Sequence, residues 1–455
     1  MKPKLVPKKS AKIKAITLKN FKSFKHEARL PFAPLTVLIG ANASGKSNAI
    51  EGLRFLSWLA QGGQFPQLEY DMSQGAVSLR GNAANLPYRE TIPMRNKTEW
   101  KERNTFHFEC ETDMKEWNNL ALSVLRRKSG ELHVLKEEIT GPTTKIPLYT
   151  IKKSSAARTT DVMVAYNNFD KGGIKPHIPC TGQRAIFTQL TSPAFFGGRN
   201  EIPNTVQTYS TLLANILFLD VVPAKMRGYA FPEKKLRADG ENLSGVLHNL
   251  WEPHTPMRGE ILSFIKSLPE QNISEIDFWK EDRGGKMVKL CERFGATSSY
   301  YDASLLSDGT LRVLAITAAL LSATRGSLVV IEEIDNGVHP SRVKHLVSKI
   351  REVAERRGLS VLVSTHNPAF LDALPYEAIP DVVYCYRDPN DGSSRLLRLN
   401  DIGDDYPQLV AQGDLGYLST SGILENFVKH RPSPEERKTR FLAWQEKMRK
   451  GVNVG

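Results

Sequence analysis

The sequence predicts an α/β fold with a split core, an antiparallel β lobe and a helical subdomain being inserted between its two parts. Three observations predict it. Residues 35–39 are an apolar run that enters a glycine-rich turn, and from Ile50 apolar residues recur at three- and four-residue steps, giving strand, turn, helix. Residues 328–331 are a second apolar run, ending in two acids and opening a last third in which strands and helices alternate. Between these, residues 106–169 hold short runs that alternate apolar and polar side chains, as antiparallel strands do.

In chain order, Lys2, Lys4, Lys8, Lys9, Lys12 and Lys14 come first, with no acid among them. Residues 1–11 are therefore expected to be a basic, disordered leader, either solvated or laid on nucleic acid. Residues 12–175 form the expected N-terminal lobe: a strand over 13–18, the strand, turn and helix already named, a Gly- and Pro-rich stretch over 65–105, and the β lobe with Ser129-Gly130 as a hairpin turn. Residues 176–295 are expected to be a helical insertion with connecting segments, rich in breakers between Pro223 and Gly240.

The expected C-terminal lobe covers 296–400. Leu314, Ala318 and Leu321 mark one helix face, and Val343, Leu346, Val347, Ile350 and Val353 mark another that ends near Gly358. Residues 359–364 are the next strand, and 382–386 with 396–399 flank a turn-rich segment as a hairpin. Residues 401–455 are expected to be a helical tail, with Phe441 and Trp444 three apart. No internal repeat is present.

Composition bounds the function. The chain has 455 residues, 40% apolar and 24% charged, the balance of a folded, water-soluble protein with room for about three domains. Its net charge of +13 favours a polyanionic partner such as DNA or RNA. Cys110, Cys180, Cys291 and Cys385 lie too far apart for a zinc motif or a disulfide framework, which fits a reducing cytoplasm. The longest greasy stretch, 313–321, is too short to span a bilayer, so no membrane segment is expected.

Gly40-Ala41-Asn42-Ala43-Ser44-Gly45-Lys46-Ser47, continuing into Asn48, has the phosphate-loop spacing, in which backbone N–H groups at a helix start point at phosphate oxygens. Lys46 is then suited to the β- and γ-phosphates of ATP, Ser47 to Mg²⁺, and Gly45 to close backbone approach. Glu332 and Glu333 end an apolar strand, placing one carboxylate for the metal and the next for the attacking water. Thr365-His366-Asn367 follows the neighbouring strand, where His366 either serves the γ-phosphate or is structural. Ser307-Asp308-Gly309-Thr310 starts another helix, either as an ordinary cap or as a second anion-binding end serving a nucleotide held by another copy.

The order of these pieces, with the opening Leu18-Lys19-Asn20-Phe21-Lys22-Ser23-Phe24, resembles the ABC-type ATPases of the SMC, RecF and OLD group, AAA-family P-loop NTPases of the ABC-ATPase head type. The resemblance covers residues 12–60 and 300–375. It implies a homodimer or higher homo-oligomer in which two heads sandwich two ATP molecules, with Ser307 and Gly309 acting on the partner's nucleotide. It also implies that Asp335 contacts the dimer partner and that a glutamine touches magnesium, for which Gln189 is the candidate. Glu332 stands where the group usually has Asp, and Asp308 and Thr310 depart from the transporter signature. No heptad arms are present.

Residues 332–340 and 364–368 look most like compact ATPases of the OLD and RecF kind, which include sensor subunits of anti-phage systems such as PARIS and Septu. The implied function is an ATPase that controls a separate effector, a nuclease or toxin, since Asp401, Asp404 and Asp405 read as a loop rather than a nuclease metal site. Two alternatives stand beside it: a RecF-like DNA-repair ATPase, and a nucleotide-dependent clamp with little turnover.

Overall fold

The structure, a computed structural model, describes residues 11–90, 96–152, 160–170, 174–251, 257–265, 273–336, 338 and 340–430. The expected basic leader before Ala11 and the tail after His430, with Phe441 and Trp444, lie outside the described residues, as do Gly337 and His339.

Strands β3 (Thr36–Ile39), β14 (Leu328–Ile331) and β15 (Ser360–Ser364) are buried at every position, as a parallel sheet covered on both faces requires. They join β10 (Leu217–Leu219), β16 (Val382–Arg387) and β17 (Ser394–Arg398) in a six-stranded sheet ordered β10-β14-β15-β3-β16-β17. All neighbours are parallel except the β16–β17 hairpin at the edge. The sheet thus takes one strand from the N-terminal lobe and inserts it between strands from the last third.

Val37, Val329, Val361 and Val382 face one side, in a core shared with α7 (Asp308–Ser322) and α8 (Pro340–Arg357). Leu38, Val330, Leu362 and Val383 face the other, in a core shared with α1 (Lys46–Ala60) and the β lobe. That lobe is an eight-stranded antiparallel sheet. Its order is β2 (Ala28–Pro31), β1 (Ile13–Lys19), β4 (Thr105–Thr112), β5 (Asn119–Arg126), β6 (Leu132–Thr140), β7 (Tyr149–Ile151), β8 (Asp161–Tyr166) and β9 (His177–Thr181). Gly130 has φ +94° in the β5–β6 turn, so the hairpin expected at Ser129-Gly130 is observed. Phe55 of α1 packs on Phe106 and Phe108 of β4 at ring-centroid distances of 5.7 and 5.6 Å, which ties the helix after the glycine turn to the lobe.

Short helices α2 (Leu68–Ser73) and α3 (Lys97–Arg103) occupy the stretch expected to hold loops with short elements. The expected helical insertion is only partly helical. It contains α4 (Glu201–Ala214), α5 (Leu243–Trp251) and α6 (Arg258–Ile265), but β10 within it belongs to the central sheet. A three-stranded antiparallel sheet, β11 (Ile273–Lys280), β12 (Lys286–Phe294) and β13 (Thr297–Asp302), runs across its expected end at residue 295. The reason is a period of two: Ile276 and Phe278 pair with Leu290 and Val288 on the buried face. All four cysteines are free and buried, and no helix among the described residues is long and apolar enough to cross a membrane.

Candidate functional site

Because β10, β14, β15, β3 and β16 are parallel, their carboxyl ends share one edge of the sheet, where the following segments meet. β3 runs into the glycine-rich turn, β14 into Glu332 and Glu333, β15 into Thr365 and His366, and β10 into Asp220. A cleft of about 680 Å³ lies at this edge, with Lys46, Ser47, Glu332, Glu333 and His366 on its walls together with Asn42. Residues more than three hundred positions apart in sequence, such as Asn42 and His366, are brought together there by strand order.

The turn is held from beneath. Gly40 has φ +145°, and a Cβ there would sit 2.1 Å from the Cys385 carbonyl oxygen of β16, so only glycine fits. Ser394 Oγ donates to Ser44 O at 2.5 Å and lies 2.7 Å from Ser23 Oγ, while Cys385 Sγ reaches the same carbonyl at 3.4 Å. Gly45, φ +121°, passes over Ser394 and Ser23. Asn48 is engaged within the protein: its amide donates to Ser23 Oγ at 2.7 Å and accepts from Arg80 at 3.0 Å.

Lys46 Nζ donates to Gly40 O at 2.5 Å and Ala41 O at 3.1 Å, curling over the turn. Burial lowers its pKa, against the opposing pull of Cys385 and Glu333. Ser44 Oγ is buried without a hydrogen-bond partner, a polar atom in the turn with capacity to spare. These features fit a chain of phosphate oxygens.

Glu333 has φ +48°, a left-handed backbone uncommon for a residue with a side chain. Its N–H donates to Ser364 Oγ at 3.1 Å and its Oε2 accepts from Asn336 Nδ2 at 2.6 Å. Glu332 Oε1 accepts from Arg54 of α1 at 2.9 Å, and the Arg54 guanidinium stacks 4.7 Å from the Phe218 ring centroid. Ser47 and Glu332 offer a hydroxyl and a carboxylate, the hard oxygen donors that suit Mg²⁺ when phosphate and water complete the shell. Among the described residues no group of three or more His, Cys, Asp or Glu could hold a metal without such help.

Asp335 follows the acidic pair on the segment after β14. Its side chain is turned toward its own chain, where Oδ1 accepts from Thr365 Oγ1 at 2.6 Å and the residue is 8% exposed. It braces the end of β15 beside His366. Gln189 is misplaced by the sequence reading: its amide is used up on Thr181 N at 3.0 Å and Thr181 O at 2.9 Å in the β lobe, away from the cleft. No local pattern marks a lone glutamine, and Thr181-Gly182-Gln183 makes a loop that needed a clasp.

Ser307 caps α7, its Oγ accepting from Thr310 N at 3.1 Å. Ser307 and Asp308 are exposed, and neither Ser307 nor Gly309 lines the cleft of its own chain. Arg227 holds this turn in place, donating to Ser304 O at 2.9 Å, Leu306 O at 2.7 Å and the Asp308 carboxylate at 2.6 Å. Sequence reasoning missed Arg54, Arg80, Asp220 and Arg227. Only Asp220 carried a signal, since residues 216–219 form an apolar run ending in an acid, the form also seen at Glu332.

A family model described as "AAA domain, putative AbiEii toxin, Type IV TA system" matches residues 198–372, and one described as "AAA ATPase domain" matches residues 12–140. These matches, on the split core described above, support a nucleotide-dependent ATPase of the AAA type. No curated protein matches the chain. Among solved structures, an SMC head bound to the C-terminal winged-helix domain of ScpA is 13% identical, with a TM-score of 0.48 over 85% of this chain and 97% of its own. The SMC head domain from Thermotoga maritima is 12% identical, with a TM-score of 0.41 over 85% and 98%. An SMC head with an extended coiled coil, from Pyrococcus furiosus and bound to the C-terminal domain of ScpA, is 13% identical, with a TM-score of 0.46 over 88% and 99%. All three TM-scores lie below one half.

Proposed function

We propose that the chain is a Mg²⁺-dependent, ATP-hydrolysing head that dimerises around ATP and serves as the sensor subunit of a cytoplasmic bacterial anti-phage complex, controlling a separate nuclease or toxin. The observation that carries the dimer is the turn at Ser307 and Gly309, exposed at Ser307 and half-buried at Gly309, which stands outside its own cleft and is placed to complete another. The match to a model described by a toxin and a type IV TA system supports a two-component role.

In this reading the backbone of residues 40–47 and Lys46 bind the phosphates, and Ser47 with Glu332 hold Mg²⁺, which when bound offsets phosphate charge. Glu333 takes a proton from the water as its oxygen bonds to the γ-phosphorus, His366 donates a hydrogen bond to a γ-phosphate oxygen, and the bond from the γ-phosphorus to the bridging oxygen breaks. ADP keeps that oxygen unprotonated, inorganic phosphate leaves, and Glu333 returns its proton to solvent. What supports these roles is that Lys46, Ser47, Glu332, Glu333 and His366 all line one cleft.

The test is affinity purification at native expression level with the neighbouring reading frame included, comparing the parent with Lys46→Ala. A stoichiometric protein partner supports the sensor reading. DNA alone, lost with Lys46→Ala, replaces it with the repair-ATPase reading. A Glu333→Gln chain that keeps its partner and its cellular effect replaces it with the clamp.

A further inference from the structure

Beside the main cleft lies a second cavity of about 460 Å³, walled by Ser47, Arg54, Asp220, Arg312, Glu332 and Glu333 among others. It shares Ser47 and both glutamates with the cleft, so the two cavities meet at the proposed hydrolytic residues. Arg312 is the one contributor from α7, the helix headed by Ser307.

From Thr310 to Leu321 every residue of α7 is buried except Arg312. A helix packed on all sides moves as a rod, so a push at its head is delivered along its length. Arg312 sits five residues from the cap, roughly 7 Å along the axis at 1.5 Å per residue. Among the described residues its guanidinium has no hydrogen bond or ion pair, unlike Arg54, which is paired with Glu332, and Arg80, which is paired with Glu51. In the lining of the same cavity, Glu333 Oε2 is taken by Asn336, and Oε1 has no partner among the described residues. A donor without an acceptor and an acceptor without a donor thus share one cavity.

We propose that Arg312 is a positioning residue: when the head of α7 engages the partner chain's nucleotide, Arg312 closes on Glu333 Oε1 of its own chain and sets that carboxylate for hydrolysis. Each cleft then fires only after its own chain has docked on the other nucleotide. The proposal rests on the ATP-sandwich reading above, which supplies the push, and adds a route by which one site senses the other.

The experiment is a double-mutant cycle on the full chain with Arg312→Gln, Glu333→Gln and both, adding Arg312→Lys as the conservative variant. ATP-dependent dimerisation is followed by light scattering, nucleotide affinity with a fluorescent ATP analogue, and turnover by phosphate release. Arg312→Gln is expected to bind and dimerise as the parent does, with KM changed less than about twofold and kcat lowered about tenfold. In the Glu333→Gln background the same change is expected to cost less than about twofold, and Arg312→Lys to restore most of the loss. Equal losses in both backgrounds, or a loss of binding and dimer together with kcat, overturn the proposal. An Asp220→Asn chain that reproduces the Arg312→Gln pattern also overturns it, by naming a different acceptor. A parent that turns over ATP without dimerising removes the sandwich itself, an outcome read from light scattering before any variant is compared.

Discussion

Arg54 of the helix after the glycine turn donates to Glu332 across 2.9 Å, so the carboxylate proposed for the metal is already paired within its own chain. The pair is largely shielded, with side-chain exposures of 14% and 29%, and the guanidinium is pinned against Phe218. Replacing Arg54 by Gln leaves Glu332 with no counter-charge, at a cost of about 1–2 kcal/mol after allowance for its partial exposure. The same change makes the site more attractive to a cation. Thermal denaturation with and without MgCl₂ is expected to show a lower Tm for Arg54→Gln in EDTA and a larger rise on adding Mg²⁺ than the parent shows. An equal rise in both proteins would count against the assignment of Glu332 to the metal.

A second prediction concerns Gly40. Its missing Cβ leaves the space into which the Cys385 carbonyl of β16 projects, and a backbone carbonyl in a central strand has nowhere to retreat. Gly40→Ala is expected to cost roughly 2–4 kcal/mol, from the clash and the positive φ together, and to abolish ATP binding in equilibrium titration. Gly62→Ala, at φ +93° but in open space, is the control: strain alone, with binding retained.

Arg227 clasps three carbonyls and one carboxylate of the turn that leads into α7. These groups are partly exposed, so Arg227→Gln is expected to lower stability by no more than about 1 kcal/mol. The turn would nonetheless lose its fixed shape. Single-chain ATP affinity should be unchanged, while the ATP concentration needed for dimerisation should rise about tenfold, as read by light scattering, for a loss of about 1.4 kcal/mol of interface free energy.

Glu137 gives a pH prediction. Burial pushes its carboxyl up to about 7, although Tyr149 Oη at 2.6 Å and the N–H groups of Ile186 and Phe187 at 2.7 and 2.6 Å favour the charged form. A carboxyl whose pKa is raised on folding stabilises the fold below its unfolded value, and that contribution is lost as pH climbs toward 7. The lobe should therefore lose up to roughly 3 kcal/mol between pH 4.5 and 7 from this group. Glu137→Gln is expected to flatten the slope of Tm against pH over that window, while the parent's Tm falls.

What was legible in the sequence was whatever is written locally. The turn at 40–47, the acids after β14 and the histidine after β15 are each a strand followed by a fixed spacing, and one strand end needs no knowledge of the next. Arg54, Arg227 and Arg312 could not be read in that way. Each acquires its partners or its cavity from an element many residues distant, and an arginine on a helix face looks the same in sequence whether it meets water or Glu332. The sheet β11–β12–β13 was lost for a different reason. Its alternation is plain at Ile276 and Phe278 but fades in β13, where five of the six residues are exposed and no face is marked. The bond between Asp335 and Thr365 was not legible either, because a position beyond the acidic pair says nothing of direction.

The place of β3 in the central sheet also sets an order of events during synthesis. Its hydrogen-bonded neighbours are β15 and β16, more than three hundred residues downstream, so when the glycine turn leaves the ribosome it hangs from a strand with neither flank formed. The antiparallel lobe, whose pairings are mostly between consecutive strands, can assemble long before that. A chain cut short before residue 360 would carry a complete lobe and every residue of the phosphate turn, yet no cleft. Residues 360–387 supply both flanks of β3, so the glycine turn stands on a finished sheet only after that segment has been made.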